Sequence, residues 1–213
     1  MSRPINKAYN FIKQNILNGD YYPSQKLVEN ELASEINVSR NTIKKALYKL
    51  QEEQLVVIEL NKGATVKSYN IDEIVNYFEI REALEVLVIK SVVNLINSDQ
   101  INELENNLVK MEQCIIDNNF DEYSKTNRTF HELIYSIADN KPAVKMIKII
   151  KNQFLRYHIR TILVPGRTNS SFQEHKNIVE AIKSRDVVKA QNAIQTHINN
   201  ISKTIKENYK LLL

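Results

Sequence analysis

A chain of 213 residues, 43% hydrophobic and 25% charged, can bury a sizeable core, which excludes wholesale disorder and suits two domains of unequal size. Three glycines and four prolines exclude a many-turned β architecture and point to long, uninterrupted helices. The net charge of +4 is too mild to identify a polyanionic partner, and the single Cys114 excludes an internal disulfide framework.

Residues 4–18 place Ile5, Ala8, Tyr9, Phe11, Ile12, Ile16 and Leu17 at helical spacing, and Gly19 ends that helix. Val28 to Ile36 forms a second, short helix with Leu32, Ala33 and Ile36 facing inward. Asn37 stands where the following turn needs a left-handed residue, a conformation Asn tolerates well. Ser39 is placed to cap a third helix reaching about Glu53, with Ile43, Ala46, Leu47 and Leu50 as its buried stripe. Leu55–Ile58 and Ala64–Lys67 read as short strands around a hairpin tip at Asn61-Lys62-Gly63. Two helices, a tight turn and a hairpin make the plan of a winged helix-turn-helix, which lays one helix in the major groove of DNA. Its third helix carries Arg40, Lys44, Lys45 and Lys49 and no acid before Glu52, the local charge a polyphosphate partner demands.

After Lys67 the texture changes to helical segments at about 72–97, 98–118, 120–139, 141–163, 170–184 and 186–210. Short connections between them predict an antiparallel α-helical bundle, so the fold is mainly α, with a DNA-binding domain at 1–68 and an all-α domain at 69–213. Cys114, inside the apolar pattern MEQCII, reads as packing. No run approaches the roughly 18–20 apolar residues of a membrane span, and the polar start is no signal peptide, so a cytoplasmic protein is expected.

Asn127 lies one helical turn before His131, so both share a face. The break at Ser184–Asp186 falls midway between His175 and His197, so a fold there brings those histidines to similar heights. Three imidazoles and one side-chain oxygen inside a bundle suit a divalent metal with open positions, although scattered histidines are more often ordinary polar residues. His158 belongs to no such pairing. Arg156 and Arg160 share a helical face, and Arg81 lies in IREALE. Each is by default a solvated cation, and an inward-facing one needs a carboxylate from the protein or from a ligand.

ENELASEINVSRNTIKKALYKLQEEQLV and the hairpin NKGATV resemble the GntR family of bacterial transcription regulators. IREALE at 80–85 region, NRTFHELIYSIADN, EHKNIVEAIKSRD and then His197 resemble the FCD effector domain of its FadR subfamily, in the expected order over nearly the whole chain. The resemblance implies a homodimer, most simply a repressor, bound to palindromic double-stranded operator DNA and controlled by a small carboxylate effector. It implies that Asn30, Arg40, Lys44 and Gly63 face DNA; Ser39, Asn41, Thr42, Lys45 and Lys62 on the same elements join them as candidates. Lys44 stands where the family has Arg, and a point charge suits phosphate better than bidentate base reading. The implied metal ligands are Asn127, His131, His175 and His197, with Asn replacing the family's usual Asp. Zinc is the first expectation, with nickel and manganese also suited to N/O ligands. Arg81, Arg156 and Arg160 are the candidates for holding the effector. A purely structural or sensory metal is one alternative. A metal-dependent hydrolase carrying a DNA-binding domain is another, against which stands the lack of any HExxH, GxSxG or Gly-rich phosphate loop.

Overall fold

The computed structural model describes residues 3–212, the side chains of Arg156, His158, Ile159 and Leu163 excepted. Its contacts divide the chain into two compact units, Met1–Asn70 with Lys151–Arg156, and Ile71–Ile150 with Tyr157–Leu213.

In the first unit, α1 (Arg3–Asn18), α2 (Glu29–Ile36) and α3 (Arg40–Glu52) enclose a core of Ile12, Leu32, Ile43, Leu47 and Leu50. The turn between α2 and α3 hinges on Asn37, at φ 56° and ψ 59°. There it ends α2, while Ser39 opens α3 by accepting a hydrogen bond from the Thr42 amide. Strands β2 (Val56–Glu59) and β3 (Gly63–Val66) pair antiparallel with Val56 opposite Val66 and Ile58 opposite Ala64. Gly63 sits at φ 90°, a conformation that strains any residue with a Cβ. A third strand, β1 (Lys26–Leu27), adds to the outer edge of β3. Two residues carry no period, so the sequence could not announce it.

The second unit contains α4 (Ile71–Leu95), α5 (Ser98–Ile116), α6 (Phe120–Ile137), α9 (Arg167–Lys183) and α10 (Val187–Glu207) as its main helices. Their starts coincide with the polar breaks in the sequence. Asn97 and Gln100 form a reciprocal capping box, Asn119 accepts from the Glu122 amide, and Asp186 from the Lys189 amide. Apolar side chains fill the space between them, including Val88, Val92, Leu104, Phe130, Ile134, Ile178 and Ile194. α4 is buried chiefly along α10, and α9 packs on α10 and α5.

The helix expected over 141–163 is interrupted. It becomes α7 (Lys141–Gln153), α8 (Leu155–Arg160) and a 3-10 turn at Thr161–Leu163. The break falls at Phe154, whose ring is buried against Tyr69 at 5.0 Å between centroids. α9 starts three residues earlier than its sequence pattern suggests, at Arg167 behind a left-handed Gly166. A short α11 (Tyr209–Leu212) follows α10. Among the described residues, no helix is long and apolar enough to cross a membrane.

One side chain ties the end of α4 to the α9–α10 turn. Arg185, left-handed at φ 55°, donates to the carbonyls of Val93 and Ile96, both at 2.6 Å. Val93 lies in the last turn of α4 and Ile96 just past its end, where a helix leaves acceptors without internal partners. Arg185→Ala should destabilise this unit by about 2 kcal/mol in urea unfolding. Arg185→Gly, which relieves the backbone, should lose about 1 kcal/mol less. Equal losses would show that the left-handed conformation carries no strain.

Candidate metal centre and nucleic-acid interface

On the first unit, the polar face of α3 stands clear of the core. Asn30, Ser39, Arg40, Asn41, Lys44 and Lys45 are exposed and Thr42 is half-buried. Lys62 and Gly63 are exposed on the hairpin tip. Arg40 is engaged by Glu29, Nε to Oε2 at 2.7 Å, and Lys62 by Glu59 at 2.6 Å. Both pairs lie in solvent, where such contacts are weak and exchange readily for another anion. Lys49 is different. Its Nζ lies 3.8 Å from the centroid of the Tyr9 ring, half-buried beside α1, so it serves the packing of the unit. The cationic set available on α3 is therefore Arg40, Lys44 and Lys45, narrower than the sequence pattern suggests.

In the second unit the three histidines of the predicted cluster come together. Asn127 and His131 come from α6, His175 from α9 and His197 from α10, all buried. One ring nitrogen from each histidine lies within 4.8 Å of the other two. The ring centroids are 5.3 Å apart for His131 and His175, 5.4 Å for His131 and His197, and 4.6 Å for His175 and His197. Phe130 closes one side, edge-on to His175 at 4.9 Å, and Tyr135 stacks on His131 at 6.1 Å.

The hydrogen bonds fix the protons. His175 Nδ1 donates to the Ser171 carbonyl at 2.6 Å, leaving its Nε2 as the lone pair that faces His131 Nε2 at 3.3 Å. Burial, and then the neighbouring His197, hold His175 well below the ordinary histidine range, so the ring stays neutral. Neutral imidazoles are what a metal ligand set requires. The Oδ1 of Asn127 is buried and has no hydrogen-bond partner, an acceptor whose desolvation nothing in the protein offsets. Three clustered imidazole nitrogens fit a divalent cation, and Asn127 Oδ1, one turn before His131 on α6, is the candidate oxygen donor.

Two ion pairs border the cluster. Arg81 is only 2% exposed, so the solvated-cation reading of it is overturned. Its Nε donates to Glu85 at 3.1 Å, and the Tyr135 hydroxyl donates to the same oxygen at 2.6 Å. Burial first, and then the Glu85 charge, push the Tyr135 phenol well above its ordinary value, so it remains a donor. Arg81 Nη2 is buried without a hydrogen-bond partner. The second pair joins Arg167 to Glu174 through two bonds of 2.9 Å. The sequence pattern places Glu174 in a helix beginning at residue 170 but leaves Arg167 outside it, so the pair is not visible there. With the helix extended to 167, the pair falls on one face two turns apart, which was the available signal. Arg160 points elsewhere, its Nη1 donating to the Leu212 carbonyl at 3.1 Å, and the side chain of Arg156 lies outside the described residues.

Comparison with known proteins gives this arrangement its family. The model for "Bacterial regulatory proteins, gntR family" matches residues 4–66, and that for "FCD domain" matches residues 76–200. The chain belongs to the GntR family. This GntR-family regulator is 26% identical over 207 residues to the transcriptional repressor RspR of Escherichia coli K12, covering 97% of the chain and 91% of the relative. It is 25% identical over 199 residues to the regulator YdhC of Bacillus subtilis, covering 93% and 89%. Among solved structures, E. coli McbR/YncC superposes with a TM-score of 0.75 at 18% identity, covering 100% of this chain and 98% of that one. The relatives are transcriptional regulators, not enzymes, and so is this chain; the hydrolase alternative falls.

The buried Arg81–Glu85 pair generates a test. Glu85→Ala leaves a guanidinium without its carboxylate and should cost about 3–5 kcal/mol in urea unfolding. The double variant Arg81→Met, Glu85→Leu removes both charges and should recover most of that loss. A Glu85→Ala protein as stable as wild type would mean that water reaches the pair.

Proposed function

We propose that this GntR-family chain is a homodimeric repressor of the FadR subfamily whose operator affinity is set by a small carboxylate bound at a divalent-metal site in the helical unit. The observation that carries the reading is the buried group of His131, His175 and His197, and the unsatisfied acceptor on Asn127, one turn before His131, supports a fourth donor there. Those four residues would hold the cation, zinc foremost, with nickel or manganese as its competitors for an N/O site. A bound dication supplies positive charge that an anionic effector can meet.

The chain's own residues favour that anion. As ligands, three imidazoles and an amide are uncharged, so they would cancel none of the cation's charge. Arg81 adds a buried guanidinium with one nitrogen still to be satisfied, linked to the cluster through Glu85 and the Tyr135 ring on His131. An effector carboxylate is the complementary group. Arg160, engaged at the Leu212 carbonyl, and Arg156 are secondary candidates.

On DNA, the exposed Arg40 would read a guanine edge once it leaves Glu29. Lys44 and Lys45 would neutralise phosphates. Asn30, Ser39, Asn41 and Thr42 would add polar contacts, while Lys62 and Gly63 would bring the hairpin tip to the backbone. Two copies must set their α3 helices about 34 Å apart to engage both half-sites. An effector that binds one spacing better than another then shifts operator affinity. A metal that is structural, or itself the signal, is the competing reading and gives a different outcome in the same experiment.

That experiment is binding of the full chain to its own upstream DNA, with and without chelator, across a panel of small carboxylates. The expected result is tight, salt-sensitive binding that one acid alters only when metal is present. Alteration by metal alone would favour the sensory reading, and indifference to both a structural one. In the Asn127→Asp variant, metal should bind more tightly and the acid more weakly, because the carboxylate cancels charge at the open positions. Unchanged acid affinity there would sink the electrostatic argument.

A further inference from the structure

We propose that Glu174 is a positioning residue that locks His197 into the tautomer presenting Nε2 to the histidine cluster. The role rests on the metal reading of that cluster, but its geometry is independent of it. Glu174 Oε2 lies 2.7 Å from His197 Nδ1, and an ionised carboxylate can only accept. The Nδ1 of a neutral His197 therefore carries the proton, and Nε2 is left with the lone pair that ligation needs.

The carboxylate itself has no freedom to turn away. Arg167 holds both of its oxygens in a two-pronged grip at 2.9 Å, and Asn200 Nδ2 donates to Oε1 at 2.8 Å. Four donors surround a side chain that is itself buried, so every rotation breaks charge-assisted bonds in a low-dielectric interior. His175 receives the same treatment from a backbone acceptor, the Ser171 carbonyl. His197 instead has a carboxylate behind it, which strengthens its Nε2 as a donor beyond what a carbonyl achieves. Arg167 neutralises Glu174, so the pair contributes orientation and donor strength rather than net charge to the site. Asn127 brings no charge either, which puts more of the affinity on how well each imidazole is aimed.

The test combines tautomer and affinity. In a long-range ¹H–¹⁵N correlation spectrum of the full chain in neutral buffer with chelator, His197 should show a protonated Nδ1 and an unprotonated Nε2. Glu174→Gln places an amide where four donors converge. It should populate the Nε2–H tautomer of His197 and weaken zinc binding about 10- to 100-fold in competition with a chromophoric chelator. A wild-type His197 protonated at Nε2 overturns the proposal. So does a folded Glu174→Gln protein with wild-type zinc affinity. Should that variant not fold, the wild-type spectrum decides alone. Wild-type protein that binds no zinc while keeping the Nδ1–H tautomer would overturn the metal reading and leave the positioning bond standing.

Discussion

The bundle of the second unit is built around polar groups that water cannot reach, and each imposes a partner on its neighbours. Among the described residues, three histidines, two arginines and two glutamates lie in its interior. An ion taken from water into such a place costs several kcal/mol unless its partner is close and well aimed. The sequence meets that requirement with two arginine–glutamate pairs, Arg81–Glu85 within α4 and Arg167–Glu174 within α9. Each pair then reaches across to another helix. Glu85 receives the Tyr135 hydroxyl of α6, and Glu174 receives His197 and Asn200 of α10. The four helices are thus registered by directional bonds as well as by apolar packing, which by itself would tolerate small slips.

The first unit follows a different economy. Its core is apolar, and its polar groups stay at the surface or along its rim. Tyr9 shows the boundary: its ring lies beneath Lys49, while its hydroxyl and Lys13 both bond Glu53. This cluster anchors the C-terminal end of α3 to α1 and leaves the N-terminal half of α3 exposed. The residues for a nucleic-acid contact therefore lie on the half of the helix that the packing does not use.

Much of this was legible in the sequence because the signals were local. Asn37, Ser39, Asn97, Asn119 and Asp186 announce their turns and caps through chemistry confined to four residues. The histidine cluster was legible for a related reason, since one helical turn joins Asn127 to His131 and one hairpin joins His175 to His197. What escaped depended on distance. Strand β1 exists only because β3 offers an edge. The break at Phe154 coincides with a ring contact to Tyr69, 85 residues earlier in the chain. The Tyr135–Glu85 bond joins residues 50 apart, and nothing in either local pattern points to the other. Arg167 was lost through a helix boundary misjudged by one turn.

The charges around the histidine cluster bear on what can bind there. Arg81 and Glu85 sum to zero, and so do Arg167 and Glu174. His175 is neutral through burial, and Asn127 carries no charge where related chains are expected to place a carboxylate. A dication entering this interior would meet dipoles and lone pairs but no net counter-charge. In the proposed reading, that imbalance is what couples the two ligands. The cation alone would be held with its charge largely uncancelled, and each effector carboxylate would cancel one unit of the charge that the protein leaves open. Binding of either then favours binding of the other, and the coupling free energy is the same from both sides. On that reading, Asn127 in place of the family's usual acid would shift the requirement for negative charge from the protein to the effector.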